Sequence, residues 1–592
     1  MKSRLMVAFL AISGVVFAAD MARPKAGKTE ILPLKDVKPG MQATAWTVFQ
    51  GMEPDPVPVE IVGVWKNYLG PKGDVIIGKM GGRAKETNVA AGMSGSPVYI
   101  NGKLIGAVAL RMSTFSPDAI CGITPIESML EIEDFDKSRP ADARVPGAEP
   151  VKKQQAAVVP IETPLLFSGF TDTTLQAFEP TLNKMGITAV QGGAGAGVLT
   201  AKPVKGWEKS LNPGEAVSGV LVSGDMSVTG MGTVTYNDGK KILAFGHPFF
   251  SLGPVDMPMA KSEILMVLAS SYQPTKFGNA TEVVGALHQD RFSGIMGELG
   301  AEAPTIPVHV KVRTMGTGTQ VLKERDLHFD VFVHQKWTPL LMSMTLSNSL
   351  SQMNEYADEM TYRMSGKVDL MSGSKINLGT MLTASDAPNP PTTLLANWWG
   401  EKFNRLYLNP VDVPKLRGVD VTVDVVPDRR TATIDSAWTP SQDVDAGQDI
   451  PVKVFLRPYR GERLERSLTV KVPVGLSKGE HRILFSDAET LNRLQTAAAA
   501  NNRYLNIPET ISLLNQERQN NRLYVSFVEP RATYYSEDKT LPALPGSILN
   551  VLQTERTSNR ALVGMPETAQ EQQSTEFDQV VNGSYSLRIN VR

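Results

Sequence analysis

The sequence is poor in residues that would indicate a metal, a disulfide framework or a nucleic-acid partner. Among 592 residues there is one cysteine, Cys121, so no intrachain disulfide can form. The six histidines are scattered, with no H-E-x-x-H motif and no cysteine pair beside them. Lys and Arg number 60 against 61 Asp and Glu, and no basic block stands out. The chain is therefore predicted to use no metal or other cofactor and to bind no nucleic acid.

Long apolar runs are also missing, except at the N-terminus. Two basic residues there precede an apolar stretch from Leu5 to Ala19, and small residues follow it. This pattern is typical of a signal peptide, and the run is short for a bilayer span of about 20 residues. We therefore expect cleavage after Ala18 or Ala19 and an exported protein, periplasmic or extracellular. We expect no integral membrane segment in the mature chain.

Short β-rich runs separated by Gly, Pro and Asn dominate what remains. Asn101-Gly102 predicts a two-residue hairpin, Asn237-Asp238-Gly239 predicts another, and a helix is predicted near Thr174–Met185. The expected fold class is a mainly β, multidomain protein. The predicted units are a signal peptide (1–19), a tether (20–35), a β-barrel unit (36–135), a linker (136–165), a second β-rich unit (166–335), an α+β extension (336–416), a β-sandwich (417–484), and a helical segment with C-terminal strands (485–592).

The run GMSGSP, from Gly92 to Pro97, is the first motif that could carry chemistry. Acyl transfer by a hydroxyl needs a tight turn whose backbone N–H groups face the developing oxyanion. Ser94 is the central hydroxyl of the run, and the N–H groups of Gly92 and Ser94 are the predicted oxyanion hole. A plain Gly/Ser/Pro turn is the alternative when the motif is taken alone.

The run AFGHPFF supplies the second motif. A nucleophilic serine needs a neighbouring base whose pKa lies near the working pH, and histidine fits that need. His247 ends a predicted hairpin strand at a Gly-His-Pro bend, whereas the other histidines are most simply structural or exposed. His247 is therefore the predicted general base, with His288 as the reserve candidate.

Together these runs resemble known peptidases. GMSGSPVYINGKLIGAVAL followed by CGITPIESML resembles the nucleophile region of trypsin-like peptidases. With GMGTVTYNDGKKILAFGH, it is similar to the SpoIVB peptidase family, although here the serine motif precedes the histidine motif. The resemblance implies a trypsin-like double β-barrel core in permuted order, with Ser94 as nucleophile and His247 as base. It also implies a substrate-facing edge strand, placed here at Ile120, Cys121 and Gly122, which would pair with an extended peptide.

The acid that would orient the histidine is less defined by the sequence. Asp290 lies 43 residues after His247, in a predicted loop that follows a strand, and it is the preferred third triad member. Asp256 and Asp74 are reserves, and each of the three carboxylates could equally be a solvated turn residue. A Ser/His dyad without an acid is the remaining option.

The leading functional hypothesis is an exported serine endopeptidase that acts through an acyl-enzyme. Its partner would be an extended segment of another exported protein, or of the chain itself. The alternative is a non-catalytic envelope protein that keeps a peptidase-like fold for binding. Trp398-Trp399 also raises glycan recognition, although core packing is the simpler interpretation of that pair.

Overall fold

The structure is a computed structural model, and its description is confined to part of the chain. The signal peptide predicted at 1–19 and most of the linker predicted at 136–165 lie outside the described residues. Among the helices in the part described, none has the length and apolar character needed to cross a bilayer. The described residues are 22–112, 116–133, 136–138, 158–185, 187, 189–192, 199, 203, 205–316, 318–351, 359–384, 390–409, 412–496, 506–529, 532–536, 539–542, 544–554 and 562–592.

The first large unit is a closed barrel of six antiparallel strands. Its elements are β1 (Gln42–Thr47), β2 (Asp55–Trp65), β3 (Val75–Met80), α1 (Ala84–Thr87), β4 (Pro97–Ile100), β5 (Lys103–Met112), β6 (Ile120–Pro125) and α2 (Ile126–Leu130). The ring runs β4-β1-β2-β3-β6-β5, and β5 pairs back with β4 to close it. Asn101 and Gly102 have φ of 49° and 77° in the β4–β5 turn, which confirms the predicted hairpin.

The segment predicted as a tether at 20–35 is attached to the barrel, at least from residue 27 onwards. Gly27 donates its N–H to Asn237 at 2.8 Å, and Leu32 donates to Leu104 at 3.1 Å. Leu104 in turn donates to Glu30 at 2.8 Å. The tether prediction is therefore wrong for these residues, because their backbone groups are hydrogen-bonded to Leu104 of this barrel and to Asn237 further along the chain.

A short connecting region follows the first barrel. It consists of β7 (Val158–Pro160), β8 (Leu165–Ser168), α3 (Asp172–Lys184) and β9 (Ala189–Gln191). Strand β7 pairs with β5, so residues at the end of the predicted linker extend the first sheet. Helix α3 confirms the helix predicted near Thr174–Met185, and the Thr171 side chain caps it by accepting the Thr174 N–H at 3.3 Å.

The second large unit is also a closed ring of six antiparallel strands. Its members are β10 (Ala216–Gly224), β11 (Ser227–Asn237), β12 (Lys241–Ala244), β13 (Gly253–Leu268), β14 (Thr275–Arg291) and β15 (Gly294–Leu299). The ring runs β10-β13-β14-β15-β12-β11, and β11 pairs back with β10. Glycine at 239 has φ of 105° in the turn between β11 and β12, where the second hairpin is predicted.

The two barrels share a hydrophobic contact. Trp46, Tyr99 and Met129 of the first barrel unit cluster with Leu243 and Met296 of the second, and all five are buried. Burying apolar surface of this kind contributes about 25 cal/mol per Å² removed from water. The barrels are therefore packed against each other, and the turn that precedes β4 lies at the contact with the strand β11.

The second barrel continues into a wider sheet that two buried helices cover. The added elements are β16 (Thr305–Met315), β17 (Val321–Phe332), α4 (Trp337–Ser351), β18 (Thr361–Leu370), β19 (Lys375–Thr383), α5 (Pro391–Tyr407) and β20 (Leu416–Val426). Strand β20 pairs in parallel with β16 and belongs to this sheet. The boundaries predicted at 335/336 and 416/417 are therefore wrong, because one sheet and one core cluster run across both.

The C-terminal region is a sandwich of two sheets with a smaller sheet beside it. Its elements are β21 (Thr431–Trp438), β22 (Asp443–Val444), β23 (Asp449–Pro458), β24 (Leu464–Lys471), β25 (Gly479–Ser486), α6 (Ala488–Thr496), α7 (Ile507–Asn515), β26 (Arg522–Glu529), β27 (Thr533–Ser536), β28 (Lys539–Pro542), α8 (Gly546–Thr554), β29 (Val563–Met565), β30 (Thr568–Glu576), β31 (Val580–Asn582) and β32 (Ser584–Val591). One sheet has the order β24-β23-β21-β31 and the other β22-β32-β25-β26-β30. A single core cluster joins them, so the sandwich predicted for 417–484 starts later and draws on strands up to residue 591.

Candidate active site

The Ser94 turn is shaped by two glycines in the left-handed region. Gly92 has φ of 89° and Gly95 has φ of 96°, values that residues with a Cβ rarely adopt. At Gly95 a Cβ would stand only 1.9 Å from the Thr233 carbonyl oxygen and 2.5 Å from the Phe245 nitrogen. The second glycine of GMSGSP is thus required by the close approach of the second barrel as well as by the turn.

Thr233, in β11, binds the Ser94 turn to the second barrel. Its N–H donates to the Ser94 carbonyl at 2.8 Å, and its hydroxyl donates to the Gly92 carbonyl at 3.0 Å. Its own carbonyl accepts the Phe245 N–H at 3.3 Å. Since Phe245 lies two residues before His247, one threonine connects the predicted nucleophile turn to the predicted base segment.

His247 follows a strained bend at the end of β12. Phe245 and Gly246 both have positive φ, 70° and 68°, and Thr124 of the first barrel donates its hydroxyl to the Gly246 carbonyl at 2.6 Å. The imidazole Nδ1 lies 2.8 Å from the carbonyl oxygen of Pro248. Because a carbonyl can only accept, Nδ1 carries the proton, and Nε2 is left as the acceptor of the neutral ring.

Ser94 Oγ and His247 Nε2 are both buried, and neither has a hydrogen-bond partner among the described residues. They are therefore not bonded to each other in this arrangement. Ser94 has no exposed surface, and His247 is 4% exposed. Leaving a buried polar atom unpaired costs about 1–3 kcal/mol, so such atoms call for an explanation, and catalytic use is one.

Burial sets the protonation state of the imidazole. It lowers the pKa of His247 from 6.5 to about 4, and the bond to the Pro248 carbonyl opposes that shift only in part. The ring is therefore neutral at pH 7. A neutral imidazole with an unpaired Nε2 can accept a proton, but a pKa of about 4 lies below the working pH and makes His247 a weak general base in this buried arrangement.

The backbone donors predicted as an oxyanion hole fit the same turn. Within the described chain, the N–H groups of Gly92 and Ser94 donate no hydrogen bond, whereas the Gly95 N–H donates to Val108 at 2.7 Å. Two donors of the turn are thus uncommitted while their neighbour holds the turn in place. Uncommitted backbone donors beside a hydroxyl are the feature that stabilises a developing oxyanion.

Asp290 does not orient the imidazole, so its prediction as the third triad member is wrong in that respect. Its carboxylate instead accepts three backbone N–H groups, from Phe249 and Phe250 at 2.7 Å and from Leu252 at 3.0 Å. Burial raises the pKa of Asp290 to about 6, and the three donors act in the opposite direction. Asp290 therefore fixes the loop that follows His247 and acts on the imidazole only through that loop.

The reserve acids are also committed elsewhere. Asp256 pairs with Nδ1 of His288 at 3.1 Å, so the reserve histidine and one reserve acid form a separate, partly exposed pair. Asp74 accepts the Asn67 N–H at 2.7 Å in a turn. In the described part of the chain, no carboxylate bonds to His247, and the Pro248 carbonyl takes the position at Nδ1.

The predicted substrate-facing edge is not an edge. Strand β6, which carries Ile120, Cys121 and Gly122, pairs with β3 on one side and β5 on the other. Cys121, for example, lies opposite Gly78 on β3 and opposite Arg111 on β5. A strand with two neighbours has no free backbone groups for an added peptide, so the prediction of peptide binding at these residues is wrong.

Lys276, at the start of β14, is a site neighbour that sequence reasoning missed. It is fully buried, its stem packs against Gly92, and its backbone N–H donates to Ala91 at 2.9 Å. Its ammonium nitrogen reaches the Thr47 hydroxyl at 2.7 Å, and no described carboxylate pairs with it. Burial lowers the pKa of Lys276 to about 7. A lysine in an alternating strand normally projects to solvent, so the sequence offers no signal for this position.

Comparison with known proteins adds no further constraint on the site. No protein-family model matches the chain, and no curated protein or solved structure matches it either. The resemblance to the SpoIVB family, carried by GMSGSPVYINGKLIGAVAL and GMGTVTYNDGKKILAFGH, therefore stays a prediction.

Proposed function

We propose that the chain is a serine endopeptidase of the SpoIVB type, built on two trypsin-like barrels in permuted order. The observation that carries the proposal is the junction at Thr233. It brings together two turns, one with a buried, unpaired serine hydroxyl and the other with a buried, unpaired imidazole nitrogen. The two closed six-stranded rings and the uncommitted N–H groups of Gly92 and Ser94 support it.

In the proposed reaction, Ser94 and His247 take the following roles. His247 Nε2 takes the Ser94 proton while Oγ bonds to the carbonyl carbon of the substrate. The oxyanion that forms accepts hydrogen bonds from the N–H groups of Gly92 and Ser94. The imidazolium then gives its proton to the leaving amine as the C–N bond breaks. Water, deprotonated by the same imidazole, hydrolyses the acyl-enzyme and restores the serine. The substrate would be an extended segment of another exported protein or of this chain.

Two features of the site predict a slow enzyme. The Pro248 carbonyl is neutral and stabilises the imidazolium less than a carboxylate does. Replacing the acid of a Ser-His-Asp triad by its amide costs about 10⁴ in kcat, although part of that loss comes from the wrong tautomer. Because Ser94 has no exposed surface, a substrate also needs the covering segments to move before it can reach Oγ. Slow labelling and slow turnover are therefore expected.

The same two features favour the alternative of a non-catalytic binding protein. A fluorophosphonate probe separates the two functions, because it labels a serine only when a base has activated it. We expect labelling of the wild type at Ser94, shown by peptide mass spectrometry. We also expect slow cleavage of casein or of the chain itself, and neither in Ser94→Ala or His247→Gln.

Folding controls are available within the same chain. Ser94→Ala removes a hydroxyl without a partner, so its thermal stability should equal or exceed that of the wild type. Ser218→Ala removes a buried hydroxyl that is bonded to Ser262 at 2.7 Å and should keep full labelling at Ser94. If folded wild type stays unlabelled after long incubation, or cleaves substrate no faster than Ser94→Ala, the peptidase proposal fails and the binding protein is favoured.

A further inference from the structure

Two histidines and two aspartates lie together on the exposed face of the sheet formed by β20, β16 and β17. His309 of β16 lies directly opposite His328 of β17 and beside Asp420 of β20. Asp326 is two residues before His328 and therefore projects from the same face. The opposite face of these strands carries the core residues Val308 and Val310. The sheet thus buries one face in the core and carries four side chains capable of metal binding on its other, outer face.

The side chains converge on one point. His309 Nε2 and His328 Nε2 both approach the same Asp326 oxygen, the first as a hydrogen bond and the second at 3.5 Å. The two rings stack with centroids 4.4 Å apart and planes 5° from parallel. One ligand atom from each of the three residues lies within 4.8 Å of the others. Tetrahedral zinc bonds of about 2.1 Å place ligand atoms about 3.4 Å apart, a separation that His328 Nε2 and Asp326 already have. The hydrogen-bonded His309–Asp326 pair must open, and the stacked rings must rotate so that both Nε2 lone pairs face one ion.

Asp420 supplies the support that a ligating histidine needs. Its carboxylate lies 3.3 Å from His309 Nδ1, so that nitrogen donates to Asp420 and Nε2 is directed towards Asp326 and His328. A carboxylate behind the second ring nitrogen is the usual way in which proteins fix the tautomer and orientation of a metal-bound histidine. We propose that His309, His328 and Asp326 form a surface site for a divalent transition-metal ion, with Asp420 as the positioning residue.

The charges around the cluster suit a dication. Without an ion, His309 donates to Asp420 through Nδ1 and to Asp326 through Nε2, so a metal would replace the Nε2 proton. The two carboxylates then offset a charge of +2, and imidazole with carboxylate favours ions such as Zn²⁺, Co²⁺, Ni²⁺ and Cu²⁺. Lys311 is the competing cation, with its Nζ 3.7 Å from Asp326. It also lies 3.2 Å from Glu324, so it retains a partner when Asp326 turns to a metal. The site is exposed, and water would complete the coordination.

Titration calorimetry of the full, tag-free chain with Zn²⁺ at pH 7.5 tests this site. We expect one ion per chain for the wild type. His309→Asn should lose this binding, and His328→Gln should weaken it roughly tenfold or more, since each removes a ligand. The milder His328→Gln variant is informative even if His309→Asn unfolds, because the His328 side chain is 68% exposed. Co²⁺ should give a visible absorption band in the wild type that His309→Asn loses and that His328→Gln shows only at higher Co²⁺ concentration.

The matched control is His288→Gln. His288 also pairs with one aspartate across neighbouring strands, but only one histidine takes part, so this variant should bind Zn²⁺ like the wild type. Cys121 is buried and cannot contribute a ligand to a surface zinc site. Absence of Zn²⁺ binding in the wild type, or equal affinity in His328→Gln, would overturn the proposal. Either result would identify the cluster as a purely ionic surface network, and neither would bear on Ser94.

Discussion

Replacing Lys276 by methionine should stabilise the folded protein near neutral pH. Methionine keeps the length and apolar stem of the side chain that packs on Gly92 but removes the buried ammonium. That ammonium has the Thr47 hydroxyl as a partner and no described carboxylate, so its charge is poorly compensated. The variant therefore separates the packing of this residue from the cost of its charge.

The magnitude follows from the protonation equilibrium. Burial lowers the pKa of Lys276 from 10.5 to about 7, and each tenfold change in a proton-binding constant is worth about 1.4 kcal/mol. The unfolded chain holds the proton up to about pH 10.5, whereas the folded chain releases it near pH 7. The free energy of unfolding thus rises with pH across this window. Nearly all of a penalty of about 5 kcal/mol acts at pH 6.5, and only about 1 kcal/mol remains at pH 9.5.

The lost bond to Thr47 reduces the expected gain. Leaving that hydroxyl unpaired costs about 1.5 kcal/mol. Lys276→Met should therefore raise the free energy of unfolding by about 3 kcal/mol at pH 6.5 and leave it almost unchanged at pH 9.5. Urea titration followed by pulse proteolysis measures this, because it follows cleavage of the barrels separately in a chain with several structural units.

Lys261→Met is the matched control. Lys261 is also largely buried, but its Nζ lies 2.6 Å from the carboxylate of Glu282, which is itself 8% exposed at the side chain. Removing the cation leaves a buried carboxylate without its partner, so the free energy of unfolding of this variant should fall by about 3 kcal/mol. The reasoning is refuted if Lys276→Met destabilises at pH 6.5 as Lys261→Met does, or if its gain is the same at both pH values.

Three further predictions concern the turns of the candidate active site. Gly95→Ala should lower the free energy of unfolding by at least about 2 kcal/mol and abolish labelling at Ser94, because its Cβ would collide with the second barrel. In the control Gly475→Ala, the new Cβ meets nothing within 4 Å, so thermal unfolding should be unchanged. Asp290→Asn keeps one acceptor oxygen for three N–H donors, so it should lower the free energy of unfolding by about 1–3 kcal/mol. It should also increase proteolytic cleavage within residues 248–252, and unchanged protection there would contradict the role of Asp290. Burial lowers the pKa of His247 to about 4, so acid must protonate the unfolded chain first. Between pH 7 and pH 4, the free energy of unfolding should therefore fall by about 3 kcal/mol more in the wild type than in His247→Gln. Parallel pH profiles would contradict the burial of His247 as a neutral ring.

Local features of the fold could be predicted because short-range chemistry determines them. The Asn101-Gly102 hairpin and the helix near Thr174–Met185 depend on residues that are neighbours in sequence, and both occur. Pro508 shows a limit of the same reasoning. A proline interrupts a helix when it lies in the interior, but Pro508 lies in the first turn of α7, where its missing N–H is not needed.

Long-range pairing could not be predicted in the same way. Strand β20 pairs in parallel with β16, so His309 and Asp420 become neighbours although 111 residues separate them. Strand β6 is buried along almost its whole length, and burial alone does not show whether both edges of a strand are paired, so the prediction of an edge at Ile120, Cys121 and Gly122 is wrong. The commitment of Asp290 to three backbone groups likewise depends on a loop conformation that composition does not reveal.

The Thr233 junction also affects the stage of synthesis at which the proposed catalytic groups can meet. Thr233 and Gly92 are 141 residues apart, so the Ser94 turn leaves the ribosome, and crosses a membrane if the chain is exported, long before its partner strand. Until then, Gly95 faces no second barrel, and His247 has not been made. A truncated chain ending before β11 could thus carry the hydroxyl but no proton acceptor beside it. Vectorial synthesis would by itself delay any hydrolytic activity until translation has passed the second barrel.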